Sequence, residues 1–172
     1  MRSTILQTLL IISIVFSFGA TVFAQNGADK TKDEEAIKSM ISKYKEYIEN
    51  KDAENLLKIL SADSQKNLEK ELEKVKEFVK DIPREKQDEV ISSFNKTPRE
   101  ISAMDLTGFL KWALSRMSEY DIENMKKTDL SAIKFSTDGK KATLTWKGKN
   151  TVEAPKTAVK EDETWKIELT LS

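Results

Sequence analysis

The sequence predicts an α+β fold in which N-terminal helices pack on a C-terminal antiparallel sheet of about four strands. Apolar residues recur at helical spacing between residues 33 and 117. After Ser118 the period changes to alternation, and turn residues separate the alternating runs. A block of helices followed by a block of strands is typical of α+β domains. The apolar face of the sheet must then be covered by the helices.

The first 24 residues predict a secretory signal peptide. Arg2 gives a positive start, residues 5–18 are mainly apolar, and Val22 and Ala24 stand at the two positions that define a cleavage site. The apolar stretch is shorter than the roughly 20 residues of a membrane span. We therefore expect cleavage after Ala24 and an exported protein, periplasmic or secreted, with no membrane span once the signal is removed.

The composition excludes several classes of function. The chain has 29 basic and 29 acidic residues, so it has no net field that would attract nucleic acid or anionic lipid. It has no cysteine for disulfides and no histidine, which is the commonest metal ligand and general base. Five glycines leave little room for a phosphate-binding loop. We expect no nucleic-acid partner, no metal and no cofactor.

Helical periodicity organises the first part of the mature chain. Residues 25–32 are polar and predict a flexible leader, and residues 33–172 predict a single domain. An amphipathic helix is predicted over 33–50, with acidic residues in its first turn, where they favour the helix dipole. Asp52 predicts the cap of a shorter helix, and a third helix is predicted over 63–82.

Capping signals mark the later helices. A fourth helical segment is predicted over 84–96. Thr97, Pro98 and Glu100 have the spacing of a capping box with proline at the first helical position, so a helix is expected to start there. Asp105 then predicts the cap of the last helix before the sheet.

Alternating residues predict the strands. Ile133 and Phe135 precede a turn at Gly139, and the alternation resumes after it, which predicts a β-hairpin. A weaker strand over 151–159 carries Pro155, which restricts that point to an edge or a bulge. A charged turn, KEDE, precedes the final strand. The apolar face of this final strand carries Trp165, Ile167, Leu169 and Leu171.

Three stretches resemble the nuclear transport factor two-like superfamily. They are AIKSMISKYKEYIENKDAENLLKILSADS, STDGKKATLTWK and AVKEDETWKIE. The resemblance implies a cone-shaped, cystatin-like fold in which a curved sheet wraps around a long first helix. Residues 63–96 are extra helical content relative to the simplest members. Proteins of this superfamily include small-ligand binders, isomerases, dehydratases and interaction modules, so the fold alone does not select a function.

Aromatic residues are the candidate ligand-pocket residues. Alternation places Trp146 and Trp165 on the helix-covered side of the sheet, where they either line a pocket or fill the core. Tyr44 lies on the apolar stripe of the first helix and Tyr47 at its margin, with the same two alternatives. Trp112 lies off the stripe of its own helix, so we expect it to reach the surface or a groove.

Asp105 is the candidate catalytic residue, because it is the one acid within an apolar context, SAMDLTGFL. If this carboxyl were buried, its pKa would rise and it could act as a general base. The same position suits a helix cap, which is the interpretation we favour.

These observations leave three hypotheses for the function. We expect a non-enzymatic exported domain that binds a small apolar ligand or another envelope protein. An isomerase or dehydratase with a buried carboxylate is the first alternative, and it needs an acid inside a closed cavity. A protein-interaction or dimerisation module, a homodimer among the possibilities, is the second. It needs an exposed apolar patch, which we expect on the outer face of the sheet.

Overall fold

The computed structural model describes residues 27–147 and 154–169, and this part of the chain is α+β. The predicted signal peptide lies outside the described residues, as do residues 151–153 of the predicted third strand and Leu171. No helix in the described part has the length and apolarity that a membrane crossing requires. The helices are α1 (Gly27–Glu49), α2 (Ala53–Ile59), α3 (Ala62–Lys80), α4 (Gln87–Phe94), α5 (Pro98–Ser102), α6 (Leu106–Ser115) and α7 (Glu119–Lys126).

The strands of the described ranges form one antiparallel sheet of four, which confirms the predicted fold class. They are β1 (Asp129–Phe135), β2 (Lys141–Lys147), β3 (Thr157–Glu161) and β4 (Thr164–Glu168), and the spatial order is the order in the chain. The register of β1 on β2 shifts between Leu130 and Ala132, which marks a β-bulge.

Two predicted helix caps are present at the starts of α2 and α5. The Asp52 carboxylate accepts a hydrogen bond from the Asn55 amide at 3.1 Å at the start of α2. Thr97 and Glu100 form the complete capping box of α5. Each cap satisfies a backbone donor that the first turn of a helix leaves without an intrahelical partner, which explains why these short segments begin where they do.

Two helical boundaries differ from the prediction. Helix α1 begins at Gly27, so residues 27–32 of the predicted flexible leader are helical. This stretch contains no proline, and once the apolar positions from Ile37 onward anchor the helix, extending it costs little. Helix α7 was not predicted. The Ser118 side chain caps it by accepting from the Asp121 amide at 3.1 Å, and Met125 is its buried residue.

The third strand also differs. Pro155 precedes β3 rather than lying within it, because a proline cannot donate to the ladder. Lys160 and Glu161, predicted as part of a turn, belong to β3. The turn itself is only Asp162 and Glu163, which have φ of 47° and 62°. Positive φ at both central residues matches the right-handed twist of the flanking strands, as in a type I′ hairpin.

The main core lies between the sheet, α1, α2 and α6. Ile37 and Ile167 are completely buried there, and each such side chain contributes roughly 1.5–3 kcal/mol by leaving water. A second, smaller cluster joins α3 to α5, with Val79 and Ile101 at its centre. The first half of α3 also contributes to the main core, so it is the C-terminal half of α3, together with α4 and α5, that extends the domain beyond that core.

The junction between α2 and α3 covers the edge of β4. Leu60 forms an isolated parallel bridge with Ile167, and the Ser61 amide donates to the Ile167 carbonyl at 2.8 Å. The buried Ser64 hydroxyl accepts from the Leu169 amide at 2.7 Å and lies 2.8 Å from the Ser61 hydroxyl. The stretch LSADS thus supplies hydrogen bonds that the edge of the last strand would otherwise lack.

Candidate functional site

Trp165 fills the main core. Its side chain is only 4% exposed, and its ring lies 5.7 Å from that of Phe135 in a tilted arrangement. The indole N–H donates to Asp33 Oδ1 at 2.9 Å. Of the two predicted roles, pocket lining and core packing, the contacts of Trp165 match core packing. Its single polar group is already used within the fold.

Trp146 is half-buried beside the segment that leads into β3. Its indole N–H donates to the Pro155 carbonyl at 2.7 Å, which fixes the approach to β3. The Lys45 ammonium lies 5.9 Å from the centre of the ring and donates to the carbonyls of Lys126, at 3.3 Å, and Thr128. A cation here also complements the carbonyl end of α7. Trp146 and Lys45 therefore join α1, α7 and the sheet.

The two tyrosines have different environments. Tyr44 is 5% exposed and belongs to the main core, as its place on the apolar stripe predicts. Tyr47 is half-buried and packs against the margin of that core. Their exposures follow the helical stripe, and for Tyr44 the predicted role of core packing matches the structure.

Trp112 connects α4 to α6. Its ring stacks between Phe94, at 5.1 Å and 16°, and Phe109, at 5.8 Å and 22°. The indole N–H donates to the Phe94 carbonyl at 2.9 Å, and the Arg116 guanidinium lies 5.9 Å from the ring centre. Trp112 is half-buried rather than displayed on a free surface. Its aromatic stack holds α4 against the body of the domain.

Asp105 is exposed, so the hypothesis that uses it as a buried general base is not supported by its position. Its carboxylate accepts from the Gly108 amide at 2.7 Å and caps α6, as the favoured interpretation predicts. The fit is tight, because a Cβ at Gly108 would lie 3.0 Å from Asp105 Oδ1 and 3.1 Å from Met104 Cγ. The apolar sequence around Asp105 reflects the buried stripe of α6, not burial of the acid.

A polar cluster that the sequence did not reveal joins α1 to the last hairpin. We call it the Asp33 clasp, and it comprises Asp33, Lys160 and Trp165. Lys160 Nζ lies 3.1 Å from Asp33 Oδ1 and 3.4 Å from a carboxylate oxygen of Glu163. The hydrogen bond with Asp33, followed by that with Glu163, raises the pKa of the Lys160 ammonium against the lowering effect of desolvation. Residues 33 and 160 are too far apart in sequence for a spacing argument to pair them.

The tryptophans do not converge on one site. Trp112, Trp146 and Trp165 each direct the indole N–H to a different junction of the fold. Across the described ranges, every buried side-chain nitrogen or oxygen has a hydrogen-bond partner. The same residues contain no group of three or more acids placed to hold a metal ion. The buried polar side chains of these residues are thus engaged within the fold.

Large apolar side chains are exposed on the helical extension. Phe78 on α3 is 46% exposed and Ile91 on α4 is 39% exposed, and we call this pair the extension surface. Tyr120 on α7 is 68% exposed and lies elsewhere in the chain. Phe78 could have been noticed in the sequence, because it lies beside the stripe that includes Leu72 and Val79 rather than on it.

The outer face of β2 is polar. The side chains of β2 that point away from the helices are all exposed, and they are those of Lys141, Thr143, Thr145 and Lys147. This strand does not provide the exposed apolar patch that an interaction module using the sheet would need.

Comparisons with protein-family models, with curated protein sequences and with solved structures give no match to this chain. The candidate surfaces are consequently defined by the chemistry of the described residues. They are the Asp33 clasp, the aromatic stack around Trp112 and the extension surface.

Proposed function

We propose that this chain is an exported, non-enzymatic domain that binds another envelope protein through the extension surface. The observation that carries the proposal is the exposure of Phe78, near the C-terminal end of α3, and of Ile91 on α4, two large apolar side chains that do not belong to the main core. Aromatic side chains such as that of Phe78 are enriched at protein interfaces, and a few buried residues supply most of the binding energy of an interface. Both side chains belong to the helical segment 62–94.

The roles of the other candidates favour binding over catalysis. Asp105 is an exposed cap, so it does not supply the buried carboxylate that the isomerase or dehydratase hypothesis assigned to it. The indole N–H groups of the tryptophans, which could orient a small ligand, donate within the fold. A surface that binds a protein partner requires neither a buried carboxylate nor a free indole N–H group.

The charges of α3 also suit a protein partner. Glu71 pairs with Lys74 at 2.6 Å, and Glu73 pairs with Lys76 at 2.9 Å, so these charges compensate one another within the helix. A polar rim without a dominant sign permits an apolar contact and does not select for nucleic acid or anionic lipid.

The proposed relationship to the nuclear transport factor two-like superfamily agrees with this function. Helices followed by a four-stranded antiparallel meander have the element order that the resemblance implies. On this proposal α3, α4 and α5 are an addition to the cone, and the added helices carry the partner site.

Site-specific crosslinking tests the proposal in cells that export the full chain. A photoreactive amino acid replaces Phe78 or Ile91, and the matched control places it at Tyr120, which is exposed on a different helix. We expect a discrete crosslinked protein from positions 78 and 91 that is missing from position 120.

Affinity measurements then decide whether the crosslinked protein is a partner. The purified candidate should bind the wild-type chain, and Phe78→Ser with Ile91→Ser should weaken binding about tenfold or more, whereas Tyr120→Ser should not. Equal affinity of all three proteins, or equal crosslinking from all three positions, would refute the proposal.

A further inference from the structure

We propose that residues 27–36 form a strap that the Asp33 clasp closes over the Trp165 end of the main core, and that this strap opens without unfolding the domain. This proposal is independent of the proposed function, because it concerns the junction of α1 with β3 and β4 and not the extension surface.

The burial pattern divides α1 into two parts. From Ile37 onward the helix buries a regular stripe in the main core, which includes Met40, Ile41, Tyr44 and Ile48. Between residues 30 and 36, Asp33 and Glu34 are half-buried and the other side chains are exposed. This first part therefore has no buried apolar side chain from residue 30 to residue 36 to hold it on the sheet.

The clasp supplies the attachment that apolar packing does not. Asp33 Oδ1 receives the Trp165 N–H at 2.9 Å and lies 3.1 Å from Lys160 Nζ. Lys160 is also placed 6.0 Å from the centre of the Trp165 ring. One carboxylate on α1 thus engages both β3 and β4.

Opening the strap has a defined local consequence. Segments with few buried apolar contacts open at a smaller free-energy cost than the core does. If 27–36 detaches, the Trp165 N–H loses its acceptor and gains water. The half-buried ring of Phe135, which lies against Trp165, gains access at the same end of the core. The strap therefore controls solvent access to this aromatic pair.

Native-state amide hydrogen exchange on the full chain tests the inference directly. The amides of residues 31–36 have intrahelical acceptors, so their exchange reports opening rather than the frayed first turn. We expect them to exchange through an opening at least about tenfold more frequent than that of residues 40–48. Exchange of both groups through one common opening would overturn the proposal, and this comparison needs no variant.

Two variants then test the clasp. Asp33→Ala should speed exchange of 31–36 about tenfold or more, since hydrogen bonds to charged groups are the stronger ones, and should leave 40–48 nearly unchanged. The indole N–H signal of Trp165, identified by its loss in Trp165→Phe, should exchange faster in the same variant. Glu35→Ala removes an exposed carboxylate from the same helix and should change neither. An equal effect of the two alanine variants would show that the clasp does not close the strap.

Discussion

At the scale of single residues, the tryptophans that were candidates for a ligand pocket make packing contacts instead, because their indole N–H groups donate to acceptors within the fold. Trp165 and Trp146 follow the strand alternation, so their inward direction was predictable. Their acceptors, Asp33 and Pro155, were not, because each indole N–H finds its partner through the three-dimensional fold. Caps such as Asp105 were predictable because donor and acceptor are three residues apart.

The positive φ of Glu163 gives a prediction about the last hairpin. Glu163→Gly should raise the free energy of unfolding by about 0.5–1 kcal/mol, because glycine removes the left-handed strain at the cost of some chain entropy. Thr164→Gly, one residue further and inside β4, should lower it. Urea unfolding measures both. A loss of stability in Glu163→Gly would mean that its contact with Lys160 outweighs the strain.

The raised pKa of Lys160 gives a prediction about pH. A basic group whose pKa is higher in the folded than in the unfolded chain stabilises the fold below the unfolded value, and this contribution is lost as pH rises through the folded value. The reference value for lysine is 10.5, so the loss belongs to alkaline solution above it. Melting temperatures of the wild type and Lys160→Met between pH 8 and pH 11.5 should differ at the start of this range and approach each other toward its end. A constant difference would assign the effect to packing.

At the scale of elements, local signals succeeded where a cap and an apolar stripe coincide. The capping box of α5 is an example, since Thr97 and Glu100 sit at fixed spacing. Helix α7 was missed because its eight residues are mostly charged or polar, and only Ile122 and Met125 mark its inner side. The start of α1 was placed too late, because polar residues can extend a helix that is anchored further along.

The Ser64 hydroxyl gives the prediction that belongs to this scale. Ser64→Ala should destabilise the chain by about 1–3 kcal/mol, since the buried Ser64 hydroxyl is lost and the half-buried amide of Leu169, just after β4, loses its acceptor. Ser42→Ala is the matched control, because the Ser42 hydroxyl is exposed and bonds only the Lys38 carbonyl of its own helix. Chemical denaturation compares the two. Equal small losses would indicate that water replaces the missing hydroxyl.

At the scale of the whole molecule, the fold class was predictable because it depends on the period of apolar residues, and that period changes once along the chain. The candidate site was not predictable, because it depends on which apolar side chains remain exposed after the helices have packed. Phe78 and Ile91 carry no motif, and their exposure emerges only when α3 and α4 take their places. For Asp105 the sequence was misleading in the opposite direction. The apolar residues around it suggested a buried catalytic acid, but they belong to the buried stripe of α6, which Asp105 caps.

The two hydrophobic clusters predict unequal responses to the same mutation. Ile167 and Ile101 are both completely buried, in the main core and in the extension respectively. Ile167→Ala should cost about 2–5 kcal/mol of global stability. Ile101→Ala should mainly speed amide exchange within residues 75–104 and affect the sheet less, because no residue of its cluster lies in the sheet. A uniform increase in exchange along the whole chain in Ile101→Ala would show that the clusters unfold as one unit.

The β-bulge between Leu130 and Ala132 should reduce aggregation of the protein at high concentration. Leu60 already covers the side of β4, whereas no strand in the described ranges pairs with the outer side of β1. The free backbone N–H and C=O groups of such an edge strand can pair with the edge strand of another molecule, which leads to aggregation. The irregular backbone at the bulge and the positive charge of Lys134 both interrupt such pairing. Prolonged storage at high concentration should therefore produce no thioflavin-positive material.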